Sequence, residues 1–151
     1  DLDADALRFI ADSGLPGMKV LVYAFDPAGE SAYLPHNCPR DAVIYTGTHD
    51  TPTFVQWLFE QAAPAERDYA FDYLRLREDE GFGWGAVCGA WMSPCRLAIA
   101  PMQDLLGLGG DARVNTPGTA GPRNWSWRVR QEALNPSVSG RLAHITRTYR
   151  R

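Results

Sequence analysis

The chain has 151 residues, 45% hydrophobic and 22% charged, with a formal net charge of −3. That composition suits one ordinary globular unit with enough apolar material for a core. Acids and bases are mixed along the chain, which excludes a nucleic-acid partner read from a basic block, and the apolar runs are too short to span a membrane.

The first residues are acidic where a secretory signal carries bases, so no export signal is read there. Residues 3–11 place Ala6, Leu7, Ile10 and Ala11 at helical spacing, and Gly14 stops the helix. Pro16-Gly17 then turns into residues 18–25, a near-continuous apolar run. Such a run predicts a strand buried on both faces, as in a parallel sheet covered by helices. A polar loop with Tyr33, His36 and Asn37 leads to a second strand over residues 42–46. Thr51-Pro52 predicts the next helix start, with Phe54, Val55, Trp57, Leu58 and Ala62 as its stripe. Pro64 opens a further helix over residues 65–77, and glycines 81, 83 and 85 turn the chain before one over residues 87–92. Residues 97–100 predict a short buried strand halted by Pro101, and residues 102–108 a single helical turn. Residues 109–125 are rich in glycine and proline, yet they lead into Asn124-Trp125-Ser126-Trp127, which is too aromatic for a passive tether. Long loops of this kind inside compact domains are usually functional or disordered, and the aromatics favour the first. Pro136 starts a last helix toward Tyr149.

Strands alternating with helices predict an α/β fold with a parallel sheet. Three strands in 151 residues cannot form a whole (β/α)8 barrel, which needs about 250 residues, but the chain has room for the last few βα units of one. Cys38, Cys88 and Cys95 form no CxxC pair and match no zinc spacing, so they read as free, buried thiols and no metal is expected.

In α/β folds the chemistry lies beyond the carboxyl ends of the strands. Asp26, His49-Asp50, Gln103-Asp104 and the loop through Asn115 and Trp125 all meet that condition. Each also has a plain structural reading. An aspartate after a strand caps or turns the chain, His36 and His49 fit as satisfied loop histidines, and Asn115-Thr116-Pro117-Gly118 is good turn chemistry. No GxGxxG, P-loop or GxSxG pattern is present, so nucleotide and serine-hydrolase readings lack their signals.

In series, GLPGMKVLVYAF, YLPHN, VIYTGTHDT, APMQDLLGLG, RVNTPGT and NWSWR resemble the carboxyl-terminal part of the amylomaltase-type 4-alpha-glucanotransferases, the disproportionating enzymes of glycoside hydrolase family 77. The resemblance implies that residues 1–151 are the C-terminal part of a (β/α)8 TIM barrel, with no separate second domain. It implies a cytoplasmic transferase that moves α-1,4-glucan segments of maltodextrin between glucan or glucose acceptors, without metal or organic cofactor. The family uses three carboxyl groups in a retaining double displacement. Asp50, in the Thr-His-Asp signature, matches the one that binds the sugar and stabilises the transition state. His49 would add a donor to the same sugar. His36 and Asn37 match a segment near the donor site, and Gln103, Asp104, Asn115 and Trp125 match segments that shape the substrate cleft. Where many members continue with Asn-Asp after the aspartate, this chain has Thr51-Pro52.

Counting back from Gly14, the family's acid/base glutamate falls just before Asp1 and its nucleophilic aspartate further upstream. The missing N-terminal barrel half is therefore expected to supply both, and this chain alone is expected to be inactive. Two other readings follow from the same residues. One is a non-catalytic glucan-binding or partner-binding remnant, and the other is a related α-glucan hydrolase in which water replaces the acceptor.

Overall fold

The computed structural model describes residues 3–151; Asp1 and Leu2, and the side chain of Leu7 in the first helix's stripe, lie outside what it describes. Asp3 caps helix α1 (Ala4–Asp12), its Oδ1 accepting the Ala6 N–H at 2.7 Å. Three short strands follow in the chain: β1 (Gly17–Val20), β2 (Ala42–Tyr45) and β3 (Leu97–Ile99). They form a parallel sheet in the order β1-β2-β3, with Gly17 opposite Ala42 and Val43 opposite Leu97. Because all three run the same way, Val20, Tyr45 and Ile99 end at one rim, and the segments after them share that side.

The apolar run read as one strand over residues 18–25 divides at Val20. Leu21–Tyr23 form a 3-10 turn, and Leu21, Val22, Ala24 and Phe25 are buried by folding over the sheet's end rather than by extending it. The helix expected at Thr51-Pro52 starts two residues later. Thr53 is the N-cap of α2 (Phe54–Gln56), its hydroxyl accepting from the Gln56 N–H, and the helix continues as a π-helical turn over Trp57–Gln61. Helices α3 (Pro64–Leu74) and α4 (Phe82–Met92) follow. After β3 come the short α5 (Met102–Leu105) and, past the long loop, α6 (Pro136–Thr148), capped by Asn135.

The core has two parts. Phe25, Phe54, Leu58, Ala70 and Leu74 pack where β1 ends against α2 and α3. Ile44, Trp84, Val87, Ala90, Leu105 and Ile145 pack β2 against α4, α5 and α6. Strand β3 departs from the expected burial: Leu97 is 49% exposed and Ile99 is also exposed, because the outer edge of β3 has no neighbouring strand among the described residues. No helix of the described residues is long and apolar enough to cross a membrane.

Candidate active site

The loop between β2 and α2, residues 47–53, is tied to itself by short hydroxyl bonds. Gly47 is required at its start, since a Cβ there would stand 2.8 Å from the Thr51 hydroxyl. That hydroxyl accepts the Thr48 N–H at 2.8 Å and lies 3.1–3.2 Å from the Thr48 and Pro52 carbonyls, to either of which it can donate. The Thr48 hydroxyl in turn accepts the Asp50 N–H at 3.3 Å. Thr51 is thereby occupied within the turn, which explains why the helix cap passes to Thr53.

The tip of this loop carries His49 and Asp50, with side chains 56% and 49% exposed. Asp50 Oδ1 accepts the Asn115 amide at 2.7 Å, and Oδ2 lies 3.3 Å from His49 Nε2. The long loop after α5 wraps this tip through its backbone as well. The Asn115 N–H donates to the His49 carbonyl at 3.0 Å. Arg113 donates from Nη2 to the Asp50 carbonyl and from Nε to the Asn115 carbonyl, each at 2.8 Å. The Trp125 ring sits 5.1 Å from the His49 ring, tilted 39° to it. Trp125 holds that place in a left-handed backbone conformation (φ 62°), anchored by its N–H on the Val114 carbonyl at 2.7 Å. A cavity of about 140 Å³ lies behind the tip, lined by Thr48, His49, Thr53, Pro101, Gln103 and Arg113.

Four of the residues singled out from sequence therefore meet: His49, Asp50, Asn115 and Trp125. Gln103 and Asp104 support them from within the fold. Gln103 is buried and donates from Nε2 to the Ala112 carbonyl at 3.1 Å, fixing the start of the long loop. Asp104 is 0% exposed; its Oδ2 accepts the Thr46 hydroxyl at 2.5 Å and its Oδ1 the Phe54 N–H at 2.8 Å. Burial pushes its carboxyl above the usual carboxylate range, with the Thr46 and Phe54 bonds opposing. His36 and Asn37 make their contacts elsewhere. His36 Nδ1 lies 2.7 Å from the Tyr73 hydroxyl of α3, and Asn37 donates to the Ser31 carbonyl at 3.0 Å. Asp26 accepts from the Ala28 N–H and serves a turn.

Two contributors escape a reading by residue type. Arg113, whose guanidinium joins the two halves of the site, gave only the signal of a lone arginine just before Asn115. Thr46 looked like the last residue of a strand. Among the described residues no group of three or more His, Cys, Asp or Glu side chains converges to hold a metal ion, and the three cysteines are free thiols.

Chemically, the cluster presents one carboxylate with a fixed partner on each oxygen, half open to solvent, beside an imidazole and an indole. Such a carboxylate can accept hydrogen bonds from a polyol, and an exposed indole offers an apolar face to a sugar ring.

A family model described as 4-alpha-glucanotransferase matches residues 3–134. Similar proteins include the 4-alpha-glucanotransferase of Clostridium butyricum, 38% identical over 150 residues that cover 99% of this chain and 31% of the relative. The Thermus thermophilus 4-alpha-glucanotransferase is 43% identical over 136 residues, covering 85% of this chain and 27% of the relative. Among solved structures, the amylomaltase of Streptococcus agalactiae in complex with acarbose superposes with a TM-score of 0.94 at 34% identity, covering 100% of this chain and 30% of that one. The amylomaltase of Corynebacterium glutamicum shares the fold at a TM-score of 0.64 and 17% identity, covering 99% of this chain and 27% of that one. The chain thus spans less than a third of the length of these relatives.

Proposed function

This chain belongs to the 4-alpha-glucanotransferase family, and from that premise we propose that it is the C-terminal part of a (β/α)8 barrel enzyme that transfers α-1,4-glucan segments between glucan or glucose acceptors. The observation that carries the proposal is the Asp50 carboxylate at the carboxyl rim of the sheet, held by Asn115 and His49 and flanked by Trp125. In a retaining double displacement, Asp50 accepts hydrogen bonds from sugar hydroxyls. Those bonds strengthen as the ring flattens toward an oxocarbenium ion, so the residue favours the transition state over the bound substrate. His49 adds a donor to the same sugar, and Trp125 gives the ring an apolar wall. His36 and Asn37 contribute further along the donor side.

Retaining chemistry also needs a nucleophile and an acid/base group about 5 Å apart across the scissile bond. We assign these to the N-terminal remainder of the polypeptide, with residues 1–151 contributing no separate domain and no turnover alone. Maltodextrins of the cytoplasm are the proposed substrates, and neither metal nor organic cofactor takes part.

The test is Asp50→Asn in the complete polypeptide, with maltotriose as substrate. The unaltered enzyme should yield a ladder of longer glucans and free glucose, and added glucose should shorten the products, which separates transfer from hydrolysis. The variant should keep its fold and lose about 10²–10³ in kcat, the usual effect of removing one electrostatic stabiliser. Near-normal turnover by the variant would refute the role of Asp50.

A further inference from the structure

A carboxylate that stabilises a transition state is only as well placed as the loop that carries it. The loop over residues 47–53 begins immediately after Thr46 and ends immediately before Phe54. Those two residues are the donors to Asp104, one to each carboxylate oxygen, at 2.5 and 2.8 Å. Asp104 itself sits on α5, beyond the neighbouring strand β3. Its main chain is wedged against α4, where a Cβ on Gly83 would stand 2.1 Å from the Asp104 carbonyl oxygen. One buried side chain therefore joins both ends of the Asp50 loop to the rigid part of the fold.

We propose that Asp104 is a positioning residue, whose carboxylate clamps the two ends of the loop and so fixes Asp50 for the reaction. The inference rests on the role given to Asp50 above. Asp104 is 0% exposed, so no sugar can touch it, and its effect passes through the loop. Stability alone is a poor reason for this residue. Its two partners are a neutral hydroxyl and a neutral amide, and a buried carboxylate satisfied that way is costly compared with a well-packed apolar side chain. What a carboxylate provides is two acceptors in a fixed fork, matched to two donors that flank the loop. An asparagine would keep the Phe54 bond and reverse the other, its amide N–H donating to the Thr46 hydroxyl, so it loses the charge more than the clamp.

The experiment uses the complete polypeptide and maltotriose. Thr46→Val removes one donor with little change of shape, and Thr46→Ser retains the hydroxyl. Thr46→Val should lower kcat by about tenfold to a hundredfold, the scale of an ångström misplacement, while KM moves by less than about threefold. Thr46→Ser should restore most of kcat. Thr46→Val should add nothing further in an Asp50→Asn background, because the group being positioned has gone. Two results would overturn the clamp: Thr46→Val and Thr46→Ser both at unaltered kcat, or Thr46→Val slowing the Asp50→Asn enzyme by the same factor as the unaltered one. An Asp50→Asn enzyme with normal turnover would instead defeat the reading of Asp50. The two failures are therefore distinguishable.

Discussion

Replacing Gly83 by alanine tests how firmly the site is seated, from a position far outside the loop. Gly83 lies in the first turn of α4, and a Cβ there would meet the Asp104 carbonyl oxygen at 2.1 Å, its carbonyl carbon at 3.1 Å and its Cα at 3.5 Å. All three are main-chain atoms, so no side chain can swing aside. Restoring a contact of 3.0 Å requires α4 and α5 to part by about 1 Å. Such a shift stretches bonds that now measure 2.5 and 2.8 Å beyond the normal hydrogen-bond range. Overpacking of this kind costs about 1–3 kcal/mol, and weakening two bonds to a buried carboxylate costs roughly 1.5 kcal/mol or more each. Alanine's better helix propensity returns about 1 kcal/mol. The net expectation is a loss of about 3–5 kcal/mol, so the clash wins over the propensity.

The assay is urea unfolding of the complete polypeptide, paired with kcat of the folded fraction. Gly121→Ala is the control, because nothing lies within 4 Å of its Cβ position, and its effect should stay within about 0.5 kcal/mol. Gly83→Ala with an unaltered urea midpoint and unaltered kcat would refute the packing argument.

Arg113→Lys should cut kcat by about tenfold without unfolding the enzyme, because an ammonium cannot span the Asp50 and Asn115 carbonyls as the planar guanidinium does; unchanged kinetics would dismiss the brace. Asp104 gives a signed pH prediction. Its carboxyl is raised by burial, so its contribution to stability is full below the unfolded value of about 4 and is lost as pH rises through the native value. The melting advantage of the unaltered protein over Asp104→Asn should accordingly shrink as pH rises from about 4, and a gap that widens would contradict the burial. Burial, with Cys95 beside it, pushes the Cys38 thiol up to about 12. Native Cys38 should resist iodoacetamide at pH 8 until denaturant is added, and prompt native labelling would count against that packing. The isolated 151-residue chain exposes Met18, Leu97 and Ile99 on and beside an open sheet. It should self-associate in light scattering, whereas a sharp monomeric melt would contradict this.

Much of the architecture was legible because helix starts, helix stops and strand termini are written locally. The stop at Gly14, the proline starts of α3 and α6, and the break at Pro101 all act through neighbours a few residues away. Residues 18–25 misled for a physical reason: an apolar run records burial, and Leu21, Val22, Ala24 and Phe25 are buried by a turn rather than by a strand. Thr51 misled because its hydroxyl serves the Thr48 turn, a tertiary demand that cap propensity ignores. At the site, position beyond a strand end marked His49 and Asp50 but could not separate a surface carboxylate from a buried one. Asp104 has the same sequence context as Asp50, and only packing against α4 and the loop ends distinguishes them. Arg113 was invisible for a related reason, since its partners are carbonyl groups, which no side-chain pattern reports.

The conformation of Trp125 sets two kinds of selection against each other. A left-handed backbone at a non-glycine residue costs roughly 1–2 kcal/mol, and at φ 62° this tryptophan bears that cost in a partly exposed loop. Glycine at position 125 would relax the backbone and discard the ring that lies over His49. A search for thermostable variants that scores melting temperature alone would therefore favour glycine here and strip the site of its aromatic wall. Under the proposed function, selection for glucan turnover would keep the strained residue, so the composition at this single position would record which property a population of variants was chosen for.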